Sequence, residues 1–206
     1  MNALLLIDLQ YDFMPGGALA VADGDAVVPI ANRAMAECDL VVATQDWHPS
    51  NHASFAANHP GRSVGDRIML DGVEQTLWPV HCVQGTHGAR LHADLDDSRI
   101  AHVVRKGMNP AVDSYSGFFD NSRRVATDLA PYLRSQGVIH LFVMGLATDY
   151  CVLATALDAR SLGYEVTLIL DGCRGVELNP GDIDSAIARM SDAGVRIGTS
   201  HSVAER

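Results

Sequence analysis

Three residues whose side chains can act in nucleophilic or acid–base chemistry follow apolar runs of the sequence. Asp8 follows LLLI, Lys106 follows VVR, and Cys151 comes shortly after VIHLFVM, in the segment GLATDYCV. If these runs are neighbouring parallel strands, the three side chains lie at the edge of the sheet where ligands bind in open α/β folds. A thiol, a carboxylate and an ammonium at one edge indicate covalent catalysis with proton transfer.

Cys151 is predicted to lie in the first turn of a helix whose N-cap is Thr148. Unpaired N–H groups and the positive end of the helix dipole lower the pKa of a thiol at that position. The N–H groups of Ala147 and Cys151 would then form an oxyanion hole. A buried structural thiol is the alternative for Cys151, and that role is predicted for the other three cysteines, Cys38, Cys82 and Cys173.

The position of Asp8 after a fully apolar run predicts that its side chain is buried. A buried carboxylate is costly unless it is paired, and Lys106 is the expected partner. A purely structural ion pair is one interpretation. In the functional one, Asp8 carries a proton between the thiol and the leaving amine, while Lys106 keeps Asp8 ionised and favours the thiolate.

A long segment at about residues 45–97 is rich in His, Pro, Gly and Asn and interrupts the pattern of short apolar runs. It contains Asp46 and His48, which point to the same side if the chain is extended, and also His81. A cluster of His and carboxylate ligands suits one divalent transition metal, Zn²⁺ first, with Fe²⁺ or Mn²⁺ as alternatives. Surface histidines are the competing interpretation, and His52 stays open as a further ligand.

Aromatic residues occur near each of these groups. Phe13 follows Asp8, Trp78 precedes His81, and Tyr115 follows Lys106. Such side chains can enclose a flat ring, and packing in the core explains them equally well.

Length and composition indicate one compact domain, residues 1–206. The chain is 48% hydrophobic and has a net charge of −10, and 15 basic against 25 acidic residues argues against a nucleic-acid partner. There is no basic leader and no apolar stretch of about 18 residues, so we expect no signal peptide, no membrane partner and a cytoplasmic location. The cysteines are far apart and are expected to be free thiols. Sequence does not distinguish a monomer from a homo-oligomer.

The elements that must position these residues alternate between strand and helix. Strands are predicted at Ala3–Ile7, Leu40–Thr44, Ile100–Arg105, Val138–Met144, Val166–Leu170 and Val195–Gly198. Helices are predicted at Asp25–Glu37, Asn121–Gln136, Asp149–Leu162 and Asp182–Asp192. Glycines 137, 163 and 194 each end a helix before a strand. The fold class is therefore α/β, with three layers: a mostly parallel six-stranded sheet and helices on both faces.

Taken together, these motifs resemble those of the nicotinamidase (pyrazinamidase) branch of the isochorismatase-like cysteine hydrolases, which have a Rossmann-like fold. The resemblance covers nearly the whole chain through six motifs, in the order IDLQYDF, TQDWHPSNHASF, WPVHCVQGT, RKG, YSGF and GLATDYCV. It implies hydrolysis of a small heteroaromatic amide, nicotinamide and also pyrazinamide, through a thioester, in pyridine nucleotide salvage. In the implied mechanism the metal holds the pyridine nitrogen, either directly or through its water.

The resemblance also implies roles for individual residues. The triad is Asp8, Lys106 and Cys151. The metal ligands are Asp46, His48 and His81, with His52 a ligand only in some members. The peptide bond between Leu146 and Ala147 is cis. The substrate-binding residues are Phe13, Trp78, Tyr115, Leu146 and Ala147.

The sequence leaves two other functions open. A metal-free hydrolase of the same fold, acting on a non-aromatic amide or vinyl ether, would not need Asp46, His48 and His81. A non-catalytic binding domain with a structural zinc would leave the setting of Cys151 unexplained. Dinucleotide binding has little support, because neither GxGxxG nor GxxxxGK[ST] occurs.

Overall fold

A computed structural model describes residues 1–70 and 72–204 of the chain. Its strands are, in chain order, β1 (Asn2–Ile7), β2 (Leu40–Asp46), β3 (Arg67–Leu70), β4 (Val73–Thr76), β5 (His102–Lys106), β6 (His140–Leu146), β7 (Glu165–Arg174) and β8 (Arg196–Gly198). Its α-helices are α1 (Val27–Ala36), α2 (Leu129–Ser135), α3 (Leu153–Ser161) and α4 (Asp182–Asp192).

Six of the strands form one sheet in the order β5-β2-β1-β6-β7-β8, and every neighbouring pair is parallel. Helices on both faces complete a three-layer α/β fold, which confirms the predicted class. None of the helices in residues 1–70 and 72–204 has the length and apolar character needed to span a bilayer.

The central strands are apolar because both of their faces are covered. Residues 3–7 of β1 have no exposed surface, and all seven residues of β2 are buried. Burying one Leu or Ile side chain contributes about 1.5–3 kcal/mol, so the run LLLI alone favours the central position of β1 strongly. Runs of this kind, without alternation, are typical of parallel strands.

The register of the sheet places the predicted site residues level with one another. Ile7 at the end of β1 pairs with Gly145 of β6, and Asp46 at the end of β2 pairs with Lys106 of β5. The carboxyl ends of these four strands therefore meet at one edge, and Asp8 is the first residue beyond it.

Two of the four helix predictions require correction. The helix predicted at Asn121–Gln136 begins only at Leu129, because residues 121–128 form a loop. In that loop Asp120 accepts hydrogen bonds from Ser122 Oγ and the N–H of Arg124, and such local side-chain bonds compete with helix formation. The helix predicted at Asp149–Leu162 is divided into a π-helical turn, Thr148–Val152, and α3.

The segment at residues 45–97 is more ordered than the predicted loop. It contains the antiparallel hairpin of β3 and β4, which lies apart from the main sheet. Single parallel bridges within the segment join His48 to Val83 and Phe55 to Trp78.

Candidate active site

Lys106 is at the centre of a cluster at the ends of the strands. Its Nζ lies 2.8 Å from Asp8 Oδ2 and 2.5 Å from Asp46 Oδ1, and it donates to Cys151 Sγ at 3.3 Å. A further bond of 3.0 Å goes to the carbonyl oxygen of Ser114. All four of the charged or thiol side chains are buried. The structure therefore brings together the three residues predicted as a triad, and it adds Asp46 as a second partner of the ammonium.

Asp8 is held by one hydroxyl and leaves one oxygen directed at the cluster. Thr44 Oγ1 donates to Asp8 Oδ1 at 2.6 Å and accepts from the N–H of Asp8 at 3.2 Å. The other oxygen, Oδ2, is ion-paired with Lys106 but receives no well-aligned hydrogen bond from the described residues. This oxygen is free to exchange a proton with a reacting group.

The backbone around Asp8 is tightly constrained. Asp8 has φ 52°, in the left-handed region, and the opposing Gly145 has φ 128°. A Cβ at position 145 would lie 2.2 Å from the carbonyl oxygen of Ile7, so only glycine allows β6 to pass this close to β1. The peptide bond between Leu146 and Ala147 is cis, as the resemblance implied.

The electrostatics of the cluster contradict the predicted pKa of Cys151. Burial raises the pKa of the thiol well above its usual range, and Asp8 and Asp46 raise it further, while Lys106 opposes them. Burial also raises the pKa of Asp8, again against the effect of Lys106. The prediction of a lowered thiol pKa is wrong, because desolvation of the sulfur outweighs the nearby positive charge. The raised pKa favours the protonated thiol, and Asp8 lies within 4.8 Å of the sulfur as the candidate base.

The predicted cap of the Cys151 helix also differs. Ala147, in an extended conformation, precedes the turn, and Thr148 is its first residue. The carbonyl oxygen of Ala147 accepts from the N–H groups of both Tyr150 and Val152, at 3.1 Å each. A π-helical turn of this kind is rare and is often found at functional sites, and here it presents Cys151 to the cluster.

Asp46, His48 and His81 form a second, adjoining group. Nε2 of His48 lies 3.6 Å from Asp46 Oδ2, and Nε2 of His81 lies 4.0 Å from the same oxygen. The other nitrogen of each ring bonds to a backbone carbonyl, His48 Nδ1 to Gly107 at 2.9 Å and His81 Nδ1 to Pro79 at 2.8 Å. Carbonyl partners of this kind fix the ring and leave Nε2 as the ligand atom.

These distances fit a divalent cation. Ligands about 2.0–2.1 Å from a tetrahedral ion are separated by about 3.3 Å, so small side-chain shifts would close the group around Zn²⁺. Burial lowers the pKa of His81 to about 4, which keeps its imidazole neutral for ligation. Burial would raise the pKa of Asp46, but Lys106 and His48 hold it well below its usual range. Burial would lower the pKa of His48, but Asp46 raises it to about 9, so this imidazole must release a proton when it binds a cation. One carboxylate and two imidazoles that are neutral once ligated are a donor set that zinc accepts.

His52 lies beside this group. Its Nδ1 bonds to Ser54 Oγ at 2.7 Å, and its ligand atom clusters with those of His48 and Asp113, all within 4.8 Å of one another. Asp8, Asp46 and Cys151 also converge within 4.8 Å. The ammonium of Lys106 lies among those three, so the space between them is already filled by a cation.

A small cavity next to Cys151 contains the predicted aromatic residues. Phe13, Trp78, Tyr115 and Ala147 line it together with Cys151. Trp78 Nε1 donates to the hydroxyl of Tyr115 at 3.1 Å, which fixes both rings. Leu146, also predicted to bind substrate, is fully buried in the core and does not line this cavity.

Several residues of the site were not predicted from the sequence. Asp113 and Tyr150 also line the cavity, and Gln75 donates to both Asp113 Oδ2, at 3.1 Å, and Tyr115, at 3.0 Å. Thr44 supports Asp8 as described above. The sequence signals for these residues were weak, because Gln75 is a polar residue in a hairpin strand of only four residues and Asp113 lies in a loop without periodicity.

The fold and the position of this cluster at the carboxyl ends of parallel strands define the class of protein. Residues 2–202, which are almost the whole chain, match the Isochorismatase domain family.

Individual relatives narrow this further. A nicotinamidase of Escherichia coli (strain K12) is 54% identical over 202 residues, which are 96% of this chain and 94% of the relative. A structure of PnC1 from L. infantum in complex with nicotinate is 39% identical and has a TM-score of 0.85, covering 98% of this chain and 94% of that one. A structure of a pyrazinamidase of Pyrococcus horikoshii in complex with zinc is 39% identical and has a TM-score of 0.79, covering 96% of this chain and 98% of that one. The chain belongs to the nicotinamidase family of isochorismatase domain proteins and is a hydrolase that acts on an amide.

Proposed function

We propose that the chain hydrolyses nicotinamide to nicotinate and ammonia, and pyrazinamide to the corresponding acid, through a thioester on Cys151. The observation that carries this proposal is the contact of one buried ammonium, on Lys106, with the carboxylate of Asp8 and the sulfur of Cys151. The names of the relatives, and the nicotinate and zinc bound in two related structures, support the choice of substrate and of metal.

The cavity is suited to a flat ring. Phe13 and Trp78 are buried at its walls, and the rings of Phe13 and His81 lie 5.6 Å apart between their centroids. A divalent cation held by Asp46, His48 and His81 would supply a Lewis-acidic binding point for the ring nitrogen. The residues of the cavity then hold the ring so that the amide carbon faces Cys151.

The first half of the reaction makes the thioester. The thiol of Cys151 passes its proton to Asp8, and the sulfur attacks the amide carbon. The N–H groups of Ala147 and Cys151 stabilise the resulting oxyanion. Asp8 returns the proton to the amide nitrogen as the C–N bond breaks, and ammonia leaves.

The second half releases the acid. Asp8, again ionised, removes a proton from water, whose oxygen attacks the thioester carbon. The C–S bond breaks, the sulfur regains a proton, and the acid leaves. Lys106 favours the ionised form of Asp8 between the two halves. Burial would lower the pKa of the Lys106 ammonium, but Asp46 and Asp8 hold it well above its usual range, so the ammonium stays charged.

Ammonia release tests the proposed nucleophile. The Cys151→Ala variant is expected to lose at least about 1,000-fold in kcat on nicotinamide, because no other group can form the thioester. Cys173→Ala is the matched control, since it removes a second buried thiol outside the cavity and should keep near wild-type kcat. Near wild-type turnover by Cys151→Ala would refute the mechanism.

Two further measurements test the intermediate and the metal. Acid quenching during turnover, followed by mass spectrometry, should show a nicotinoyl adduct on the peptide that contains Cys151. Elemental analysis of protein purified without chelators should show about one zinc, iron or manganese ion per chain. Absence of every transition metal from active protein would contradict the proposed metal site.

A further inference from the structure

The loop that follows β7 adds one residue, Val176, to the lining of the cavity beside Cys151. β7 ends at Arg174, which pairs with Leu146 at the end of β6, so the loop begins at the edge of the sheet where the site lies. The proposed reaction assigns no role to this loop, although one of its side chains lies in the cavity.

Asp149 holds the backbone of this loop. Its Oδ1 accepts from the N–H of Val176 at 2.9 Å, and its Oδ2 accepts from the N–H of Glu177 at 2.8 Å. Asp149 lies in the same π-helical turn as Cys151. The turn that presents the sulfur therefore also fixes the residue that lines the cavity beside it.

The residues on either side of Val176 are constrained as well. Glu177 has φ 52°, in the left-handed region that is unfavourable for a residue with a Cβ, and its Oε1 accepts from the N–H of Gly181 at 3.0 Å, just before α4. A Cβ at Gly175 would lie 2.4 Å from Cγ1 of Ile183, so the loop packs closely against α4. Val176 stands between two anchored residues and cannot move back from the cavity unless these contacts break.

Val176 lies on the side of the cavity that solvent reaches. Val176, Leu19 and Tyr150 are half-buried residues of its lining, whereas Phe13 and Cys151 are buried. A substrate whose amide carbon is at the sulfur of Cys151 therefore directs the rest of its ring towards the half-buried residues. The side chain of Val176 is then in a position to limit what the ring can carry.

We propose that Val176 is a specificity-determining residue that limits the substituents on the ring of an aromatic amide, and that Asp149 is the positioning residue that holds Val176 in place. The preferred substrates are then carboxamides of a single ring without further substituents. This inference rests on the proposed hydrolysis of an amide at Cys151. An apolar pocket discriminates by about 10- to 200-fold for one methylene, provided that its wall does not retreat from the extra atoms.

The test compares kcat/KM for ring-methylated isomers of nicotinamide with kcat/KM for nicotinamide itself, each measured by ammonia release. Val176→Ala removes the branch methyl groups from the wall, and we expect the ratio for at least one methylated isomer to rise by about 10-fold or more. Val176→Ile adds a methylene and should lower the ratio for the same isomer. The isoleucine variant also serves if the alanine variant does not fold.

Val138→Ala is the matched control for Val176→Ala. Val138 is buried, precedes β6 at the end of the strand away from the site, and does not line the cavity. The same truncation there should lower the melting temperature and leave the ratio at its wild-type value. The control thus separates a change of the cavity wall from a general loss of stability.

Asp149→Asn tests the positioning role. Asparagine has one acceptor oxygen in place of two, so one of the two backbone N–H groups loses its partner and Val176 is held less firmly. We expect the ratio to move in the same direction as in Val176→Ala, by about 3- to 10-fold, the size of one hydrogen bond. In the double variant Asp149→Asn should add no further change, because the side chain that it positions has been shortened.

Asp171→Asn is the control for Asp149→Asn. Asp171 is also half-buried, and its two oxygens accept from the N–H and the hydroxyl of Ser200, at 2.7 Å each, outside the cavity. Its variant loses a comparable bond to a loop. It should therefore keep the wild-type ratio.

Wild-type ratios for every methylated isomer in a folded Val176→Ala or Val176→Ile variant overturn the assignment of Val176. An unchanged ratio in Asp149→Asn, or a full additional effect of this substitution in the double variant, overturns the positioning role of Asp149. If the wild type releases no ammonia from nicotinamide, the proposed hydrolysis itself is refuted. An active wild type with unchanged ratios in the variants leaves that proposal intact and overturns this inference alone.

Discussion

Asp8 has the surroundings of a group that takes up and releases a proton in each cycle. Burial raises its pKa, while Lys106 and the hydroxyl of Thr44 lower it. A group that serves first as base and then as acid works best when its pKa lies near the working pH, so opposing influences of this kind are useful. Of the two groups that lower the pKa of Asp8, only the Thr44 hydroxyl can be removed without leaving an unpaired buried charge.

We therefore expect Thr44→Val to slow catalysis. A hydrogen bond to a charged group is worth about 1.5–3 kcal/mol, which corresponds to a fall of about 10-fold or more in kcat if the bond orients Asp8 for proton transfer. In the wild type the hydrogen bond from Thr44 lowers the pKa of Asp8. Loss of this bond should raise that pKa and shift the acidic limb of the kcat/KM profile to higher pH.

Thr155→Val is the control for this prediction. Thr155 is equally buried and accepts a hydrogen bond from the N–H of Gly117 at 3.0 Å, outside the cluster. Its variant should lose stability but keep its pH profile. An unshifted profile and unchanged kcat in Thr44→Val would show that the hydroxyl only supports the fold.

Cys173 allows a second prediction, which concerns alkylation. Burial raises the pKa of its thiol to about 12, so only about one molecule in ten thousand carries the thiolate at pH 8. Iodoacetamide should leave Cys173 unmodified in the native protein at pH 8 and modify it fully in concentrated urea, as peptide mass spectrometry can measure. Equal rates in both states would contradict the structural role assigned to this cysteine.

At the scale of elements, apolar runs predicted every strand of the main sheet but not the polar residues at the ends of those strands. β2 was predicted to stop at Thr44, yet it continues to Asp46, because Asp46 pairs with Lys106 of β5. The side chain of Gln10 also binds the backbone of Asp46: its Oε1 accepts from the N–H at 2.8 Å, and its Nε2 donates to the carbonyl oxygen. Hydrophobic periodicity carries no information about such a contact.

In the candidate site, too, some residues could be predicted from the sequence and others could not. The sequence predicts three of the site residues, Asp8, Asp46 and Lys106, because each stands at the end of an apolar strand. Asp113 and Gln75 are not, because only a contact between a loop and a hairpin 38 positions apart places Gln75 beside Asp113, which lines the cavity. The pKa of the Cys151 thiol could not be predicted from the sequence either, since it depends on how completely the sulfur is buried.

The turn after β5 gives a prediction about how elements position the metal ligands. Gly107 has φ 65°, and a Cβ there would lie 2.3 Å from Cε1 of His48. Gly107→Ala should therefore displace the His48 ring and reduce zinc content after purification by at least about 10-fold. Elemental analysis of the purified variant measures this effect.

Gly137→Ala is a matched control for Gly107→Ala. Gly137 has nearly the same φ, 67°, but a Cβ there would meet nothing within 4 Å. Both variants should lose about 1–2 kcal/mol of stability from the left-handed backbone, and only Gly107→Ala should lose zinc. Equal zinc content in the two variants would show that the ring adjusts to the added methyl group.

For the whole molecule, the candidate site is a source of instability that a cation would relieve. The edge of the sheet gathers three carboxylates away from water against only two cationic groups, the ammonium of Lys106 and the imidazole of His48, whose pKa Asp46 raises to about 9 against the effect of burial. The net charge of the chain is already −10. Folding must therefore bury an excess of negative charge. A protein organised in this way is expected to be most stable when a divalent cation is bound.

We accordingly expect zinc to raise the melting temperature of demetallated protein. At a free zinc concentration 100 times the dissociation constant, binding adds about 2.7 kcal/mol, and a chain of this length gains about 2–4 °C per kcal/mol, or about 5–11 °C in all. Cys151→Ala should keep this gain because the thiol is not a ligand, whereas His81→Ala should lose most of it. If demetallated and zinc-loaded wild type melted at the same temperature, the buried negative charge would have to be neutralised by protons instead, and zinc would then be needed for chemistry alone.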